Sequence, residues 1–219
     1  MVNGIIAVFL GYLLGSIPTA YIAARLAAGK DVRQLGGGNV GSINVYREVG
    51  IIPGVVVGIV DLGKGAAAVA IAQWLLDVFP PFVLAAALAA VVGHNWMVFL
   101  KFSGGRGMGA TIGALCVLLP VYGYPLGLVF FFGLILIPYI ITRNVALSMG
   151  VGLLSLPFIG WLGVKSPPPG YSQAEFIIFT IVLGLIILVK FLPTARLTVA
   201  RAESVKDFIF DRWQRSRRQ

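Results

Sequence analysis

The sequence predicts an all-α fold, a polytopic membrane bundle of about seven transmembrane helices. Of its 219 residues, 58% are hydrophobic and 11% charged, and the mean hydropathy is +0.95; a soluble domain of this size has no need of so much apolar surface. A bilayer core of ~30 Å takes roughly 20 helical residues to cross. Apolar stretches of about this length, of which the fourth is short, cover residues 2–26, 51–76, 82–100, 108–122, 124–141, 145–164 and 176–192. Six crossings is the alternative count.

The positive residues predict how these spans are oriented. With seven spans, one side of the membrane keeps only Lys165. The other side collects Arg25, Lys30, Arg33, Arg47, Lys101, Arg106, Arg143, Lys190 and the basic C-terminal tail. Because cytoplasmic loops carry the excess of Lys and Arg, we expect an outer N-terminus, a cytoplasmic C-terminus and a multi-pass cell-membrane protein. The net charge of +9 lies beside apolar spans and so fits membrane lipids; no nucleic-acid partner is expected.

The chain is expected to comprise one membrane-embedded domain, residues 1–193, and a basic cytoplasmic tail, residues 194–219. In the tail, aromatic and aliphatic side chains alternate with arginines and lysines. This pattern is typical of an amphipathic helix in the membrane interface. A positive anchor that only fixes the orientation of the chain is the alternative.

The first predicted cytoplasmic loop, LGGGNVGSINVYREVG at residues 35–50, is rich in glycine. Consecutive glycines such as Gly37 and Gly38 let backbone N–H groups approach an anion closely. Asn39 and Asn44 add amide donors, and Arg47 adds a guanidinium suited to phosphate. The loop is therefore a candidate phosphate site, and a flexible connector is the alternative.

A second passage on the same predicted side is GHNWMVFLKFSGGRGMGAT, residues 93–111. His94 and Asn95 are expected ~9 Å inside the end of the third span, at 1.5 Å per residue. The loop that follows again combines bare backbone with cations, in Lys101, Gly104, Gly105 and Arg106. Such a loop suits an anion, although the single histidine can also serve only to bridge helices.

Polar residues within two spans complete the predicted site. Asp61 and Lys64 in DLGKG are three apart, so they share one helical face and can neutralise each other. Ionisable residues this deep in a membrane are functional candidates, and a purely structural pair is the alternative. Ser148 follows one turn after the basic turn at Arg143 and Asn144. Together these passages predict a cationic cytoplasmic mouth for a phosphate-bearing substrate with an apolar partner.

The passages GSIPTAYIAARL, GGGNVGSINVYREVG, DLGKG and GHNWMVFLKFSGGRG resemble the acyl-phosphate-dependent glycerol-3-phosphate acyltransferases of bacterial membranes. The resemblance covers about residues 11–149, with a weaker similarity at 190–203. It implies seven spans, an outer N-terminus and a role in phospholipid biosynthesis. It also implies transfer of a fatty acyl group from acyl phosphate to the sn-1 hydroxyl of glycerol 3-phosphate, giving lysophosphatidate. We expect no cofactor and no metal.

An acyl phosphate is already activated, so such an enzyme mainly holds two anions close together and stabilises the developing charge. No nucleophilic serine or cysteine is required. The proton acceptor is either His94 or a phosphate oxygen of the donor. The predicted catalytic residues are His94, Arg47 and Arg106. The predicted substrate-binding residues are Gly37, Gly38, Asn39, Asn44, Lys64, Asn95, Lys101, Gly104, Gly105 and Ser148.

Several positions depart from the family's usual residues. The family has serine at Gly37, lysine at Arg106, tyrosine at Asn144, serine at Ala146, histidine at Phe191 and asparagine at Thr194. A diverged or inactive relative that acts on or binds another phosphorylated acceptor is therefore an alternative. A small anion or lipid transporter is a further one, which the one-sided position of the loops disfavours.

Overall fold

The computed structural model describes the backbone of residues 1–201 and the side chains of residues 1–193. The predicted all-α fold is confirmed. By its internal contacts the chain forms two compact units, the first from residues 1–122 and 168–171 and the second from residues 123–167 and 172 onward. Most of the predicted tail lies outside the described residues. The last helix, Gln173–Arg201, continues past the predicted domain boundary at residue 193.

The first unit contains α1 to α6, and the second contains α7 to α9. Their bounds are α1 Val2–Ser16, α2 Thr19–Ala28, α3 Ser42–Glu48, α4 Ile51–Ala70, α5 Pro80–Asn95, α6 Met108–Val121, α7 Leu126–Thr142, α8 Val145–Gly163 and α9 Gln173–Arg201. A π-helical turn, Ile71–Leu75, continues α4.

Apolar helices long enough to cross a membrane occur in both units. By length and composition, four such stretches in the described residues qualify, namely Val2–Ala28, Ile51–Leu75, Val145–Gly163 and Gln173–Pro193. Three further apolar helices, α5, α6 and α7, are shorter; the 14 residues of α6 span only about 21 Å. A polytopic helical membrane protein is thus confirmed, whereas seven crossings and an outer N-terminus stay predictions.

The first predicted span is not one continuous helix. The structure interrupts it between α1 and α2, at Ile17 and Pro18. Proline lacks a backbone N–H and disfavours helical geometry in the preceding residue, and Ile17 accordingly has φ −56° and ψ 118°. The span predicted over residues 2–26 therefore lies within one apolar stretch, Val2–Ala28, that is long enough to cross a membrane, but it is built from two helices.

Small residues allow the helices of the first unit to pack closely. A methyl group at Gly15 of α1 would overlap the carbonyl oxygen of Ala90 on α5, and one at Gly65 of α4 would overlap that of Ala110 on α6. Such close backbone approach is typical of helix pairs in membranes. These contacts hold α1 against α5 and the C-terminal half of α4 against the first turn of α6.

The third predicted span ends earlier than expected. Helix α5 ends at Asn95 rather than near residue 100. The chain turns back after this point, and the N–H of Gly105 donates to the carbonyl oxygen of His94 at 2.9 Å. His94 and Asn95 are therefore the last two residues of α5, not ~9 Å inside a longer helix. They are nevertheless buried, with 3% and 0% of their surfaces exposed.

The second unit is a helical hairpin followed by a third helix. Arg143 ends α7 with a left-handed backbone, φ 57°, and the side chain of Asn144 caps α8 by accepting from the N–H of Leu147 at 3.0 Å. Large apolar side chains remain exposed along α8, including Leu154 at 75% and Phe158 at 63%. Such a surface suits contact with lipid.

Candidate active site

The first glycine-rich loop is held in shape by Asn44. Its buried Nδ2 lies 3.3 Å from the carbonyl oxygen of Val32, 3.1 Å from that of Leu35 and 3.0 Å from that of Asn39. Its Oδ1 accepts from the N–H of Gly37 at 3.4 Å. An amide has two N–H donors, so these three carbonyls share them. The side chain of Asn44 is thus occupied inside the loop, and its predicted contact with substrate stays a prediction.

The glycines of this loop differ in their backbone conformation and in the space around them. Gly36 and Gly38 have φ of +52° and +66°, a left-handed region that other residues adopt at a cost. Gly37 lies outside that region, and a Cβ built there would meet no atom within 4 Å. The serine that the resembled family carries at this position would therefore fit. All three glycines are exposed, but the N–H of Gly37 donates to Asn44 Oδ1 and that of Gly38 to the carbonyl oxygen of Leu35 at 2.9 Å.

The two loops pack against each other at one end of the first unit. Apolar side chains from both belong to a single buried cluster, which includes Val32, Val40, Val45, Met97 and Leu100. Gly105 lies against the first loop, because a Cβ on it would be 2.8 Å from the carbonyl oxygen of Val40. The predicted proximity of the two loops is therefore confirmed.

The second loop contains a tight reversal. Met97 and Ser103 form an isolated antiparallel bridge, and between them Lys101 and Phe102 have φ of 55° and 60°. Two successive non-glycine residues in this region are unusual, and such strain is found preferentially at functional sites. The reversal leaves Lys101 exposed, and it brings Gly104 so close to α5 that a Cβ would lie 2.5 Å from the carbonyl oxygen of Asn95.

A buried polar cluster lies beneath the second loop. Asp61 Oδ1 accepts from Lys64 Nζ at 2.8 Å and from the hydroxyl of Thr19 at 2.6 Å, and it lies 3.7 Å from His94 Nδ1. Lys64 Nζ also donates to the carbonyl oxygen of Ile17 at 3.2 Å. The predicted pairing of Asp61 with Lys64 is confirmed. Thr19 was not predicted as a member of this cluster, because its partner is 42 residues away along the chain.

His94 connects this cluster to the glycine turn. A Cβ on Gly105 would overlap His94 Nε2, so the imidazole edge packs directly under the backbone of that residue. Asn95 is completely buried, and neither of its amide atoms has a hydrogen-bond partner among the residues that the structure describes. Because buried polar atoms are nearly always satisfied, the amide of Asn95 is suited to bind a ligand, and its predicted substrate contact stays a prediction.

The predicted phosphate-binding cations lie on the same two loops. Arg47 is in the last turn of α3 and is exposed. Arg106 is half-buried, and burial lowers the pKa of its guanidinium below the usual value, although arginine stays charged at any physiological pH. With Lys101, these side chains give the loops a positive field that attracts anions.

One predicted site residue, Ser148, lies in the second unit, together with several positions that depart from the family's usual residues. The hydroxyl of Ser148, with 1% of the residue exposed, donates to the carbonyl oxygen of Asn144 at 2.7 Å, and its predicted substrate contact stays a prediction. Ala146 is exposed, and Phe191 is half-buried in α9. The side chain of Thr194 lies outside the described residues.

Fold and loops together define a class of protein: a helical integral membrane protein with cationic, glycine-rich loops packed over a buried polar cluster. Comparison with known proteins specifies the family. The family model for glycerol-3-phosphate acyltransferase matches residues 5–199. Glycerol-3-phosphate acyltransferase 1 of Dehalococcoides mccartyi is 43% identical over 210 residues, which cover 95% of this chain and 97% of that protein. The chain belongs to the glycerol-3-phosphate acyltransferase family.

Other relatives agree with this assignment. Glycerol-3-phosphate acyltransferase 2 of Moorella thermoacetica is 44% identical over 155 residues, covering 71% of this chain and 76% of the relative. The crystal structure of PlsY (YgiH), an integral membrane glycerol 3-phosphate acyltransferase, in its glycerol 3-phosphate form has a TM-score of 0.77 at 28% identity, covering 91% of this chain and 94% of that one. The form of the same protein with lysophosphatidic acid gives 0.73 at 27% identity, covering 94% and 98%. The family resemblance of the sequence is thereby confirmed.

Proposed function

We propose that this protein transfers a fatty acyl group from acyl phosphate to glycerol 3-phosphate at the cytoplasmic face of the cell membrane, forming lysophosphatidate for phospholipid biosynthesis. The acceptor and the transferred group are supported by membership of the acyltransferase family. The observation that carries the proposal is the packing of two cation-bearing glycine loops against each other. Such a pair suits the two phosphate groups that acyl phosphate and glycerol 3-phosphate bring.

The proposed reaction needs no covalent enzyme intermediate. The glycerol hydroxyl oxygen attacks the acyl carbonyl carbon, the bond from that carbon to the phosphate oxygen breaks, and the hydroxyl proton leaves with inorganic phosphate. Cations and backbone donors hold both anions and stabilise the charge that develops on the carbonyl oxygen. The cations proposed to do so are Arg47, Arg106 and Lys101, and Gly104 is proposed to supply a backbone N–H. The N–H groups of Gly37, Gly38 and Gly105 donate within the protein, so these glycines are proposed to let the substrates approach the backbone closely.

The roles of the buried groups follow from their position. His94 is 3% exposed and packs under Gly105, which favours a positioning role over direct proton abstraction. We therefore assign the proton to a phosphate oxygen of the donor. Asn95, fully buried beside the glycine turn, is proposed to orient a substrate oxygen.

A direct assay tests the reaction. The purified protein in lipid is given palmitoyl phosphate, and released inorganic phosphate is measured with and without glycerol 3-phosphate. Release is expected only when both substrates are present, with lysophosphatidate as the second product. The absence of release above a protein-free membrane blank, across several acyl lengths, would contradict the proposal. Rescue of a strain that lacks its own acyl-phosphate enzyme tests donor and acceptor together in the cell.

Arg47 provides a residue-level test. Loss of one charge-assisted contact is worth ~1.5–3 kcal/mol, so Arg47→Ala should raise the KM for glycerol 3-phosphate about 10- to 150-fold. Lys165→Ala is the matched control, since Lys165 is an exposed cation that stacks over the Trp161 ring at 5.4 Å and lies on the predicted outer side. An unchanged KM in Arg47→Ala would remove Arg47 from the site.

A second acceptor is the main competing function. Gly37 stands where the resembled family has serine, and the space around it is open, so this loop can admit an acceptor of a different shape. The phosphate-release assay run with other phosphorylated alcohols separates the two functions. Faster turnover with one of them than with glycerol 3-phosphate would replace the proposed acceptor.

A further inference from the structure

The buried cluster beneath the second loop has a geometry that the reaction as proposed does not use. Asp61 is 3% exposed and Lys64 4% exposed, deep enough that leaving either one unpaired would cost several kcal/mol. Their mutual ion pair satisfies that requirement. The ion pair does not require a second hydrogen bond to the carboxylate, from Thr19, nor the approach of His94 to the same carboxylate oxygen.

The imidazole of His94 lies between the carboxylate of Asp61 and the glycine turn. Asp61 Oδ1 lies 3.7 Å from His94 Nδ1, and the opposite ring edge, at Nε2, packs under Gly105. The carboxylate is thus on one side of the imidazole and the glycine turn on the other. The 3.7 Å separation is longer than an N–H···O hydrogen bond, and such bonds in ligand-free enzymes commonly shorten when substrate binds.

The same cluster is fitted closely to the second loop at another point. A Cβ on Gly109, at the start of α6, would be 2.8 Å from Asp61 Cβ. The loop between α5 and α6 therefore contacts the imidazole through Gly105, and the first turn of α6 contacts the carboxylate side chain through Gly109. A shift of either polar side chain is transmitted to the loop backbone, because close-packed interiors do not absorb displacement freely.

We infer that Asp61, held by Thr19 and Lys64, is a positioning residue that orients the His94 ring under Gly105 and so sets the backbone of the Gly104–Gly105 turn. The inference rests on the proposed function, in which this turn binds substrate phosphate. The carboxylate fixes the ring by keeping the proton on Nδ1, since the partner of one ring nitrogen decides which nitrogen is protonated. Asp61 contacts no substrate and acts through His94.

Two double variants isolate this role. Asp61→Asn/Lys64→Met and Asp61→Leu/Lys64→Met both remove the ion pair. The side chains introduced at position 61, asparagine and leucine, both branch at Cγ as aspartate does. They differ in whether position 61 offers oxygen to Thr19 and His94. Replacing both partners of a buried ion pair by neutral residues is often tolerated, so both proteins are expected to fold, which their thermal unfolding in detergent checks.

The chain has a single histidine, so nitrogen-15 labelling of histidine gives one imidazole to observe by NMR. The asparagine variant should keep the wild-type tautomer, whereas the leucine variant should show a tautomer mixture. The KM for the phosphate substrates should be about tenfold or more higher in the leucine variant than in the asparagine variant, a size typical of small misplacements in a site, with kcat changed less.

Identical imidazole spectra in the two variants would overturn the inference, whatever their kinetics, because His94 would then be positioned without Asp61. If the spectra differ and wild-type protein transfers no acyl group, the positioning role stands and the proposed function fails. If wild-type protein is active and the spectra differ but the KM values agree, the turn does not depend on His94 and the inference is overturned.

Discussion

Gly105 is the residue at which the two loops and the buried cluster meet, so replacing it by alanine tests their packing directly. The added Cβ would overlap His94 Nε2 and lie 2.8 Å from the carbonyl oxygen of Val40. The second of these neighbours is backbone and cannot rotate away. Overpacking of this kind costs ~1–3 kcal/mol. If the cost is met by distorting the glycine turn, kcat/KM should fall about 5- to 150-fold, at 1.36 kcal/mol per factor of ten.

The assay is phosphate release from palmitoyl phosphate over a range of glycerol 3-phosphate concentrations, with thermal unfolding measured in parallel. Gly63→Ala is the matched control, because Gly63 is exposed, a Cβ there meets nothing within 4 Å and it is not a proposed site residue; its kcat/KM should equal that of the wild type and its unfolding temperature should not fall. Gly105→Ala with wild-type kinetics and unfolding temperature would show that the turn does not pack on His94, and the reasoning about the site would be refuted.

Three further outcomes are expected. Asn44→Ala should lower the free energy of unfolding by about 2 kcal/mol, about 1 kcal/mol for each of the two amide N–H donors whose hydrogen bonds are lost, as measured by thermal unfolding. The guanidinium of Arg33 lowers the pKa of Asp31 from 3.8 to about 2; Asp31→Asn should therefore be less stable than wild type at pH 7, and the difference should shrink as pH falls from 3.8 toward 2. Gly15→Leu should separate α1 from Ala90 and yield aggregated protein in size-exclusion chromatography.

The apolar spans could be predicted because their signal is local. Length and composition alone identify a membrane helix, and the i,i+3 spacing of Asp61 and Lys64 predicts their pairing on any helix. The break in the first span carried a local signal as well, in Pro18, but the surrounding apolar residues concealed its effect. A proline inside a predicted span, together with a lysine in another span, predicts a break in the helix rather than a continuous helix.

The end of the third span could not be predicted from local composition. Residues after Asn95 are as apolar as a membrane helix, yet Met97 and Leu100 pack with Val40 and Val45 of the first loop and with Val32 just before it. Their hydrophobicity serves a small core that joins the loops rather than a contact with lipid. Periodicity and hydropathy do not distinguish these two uses, since both bury the same side chains away from water. The partner surface comes from a distant part of the chain.

The polar residues of the first unit depend on one another in a way that ties its membrane fold to its site. Pro18 ends α1 and leaves the carbonyl oxygen of Ile17 facing Lys64, which donates to it. The ammonium group needs a counter-charge in a membrane interior, and Asp61 supplies it. The same carboxylate oxygen faces His94, on which the glycine turn rests. A continuous series of polar contacts thus runs from the break between α1 and α2, through Lys64, Asp61 and His94, to the glycine turn proposed to bind phosphate. In the proposed function, these residues therefore stabilise the helices and support the site at the same time.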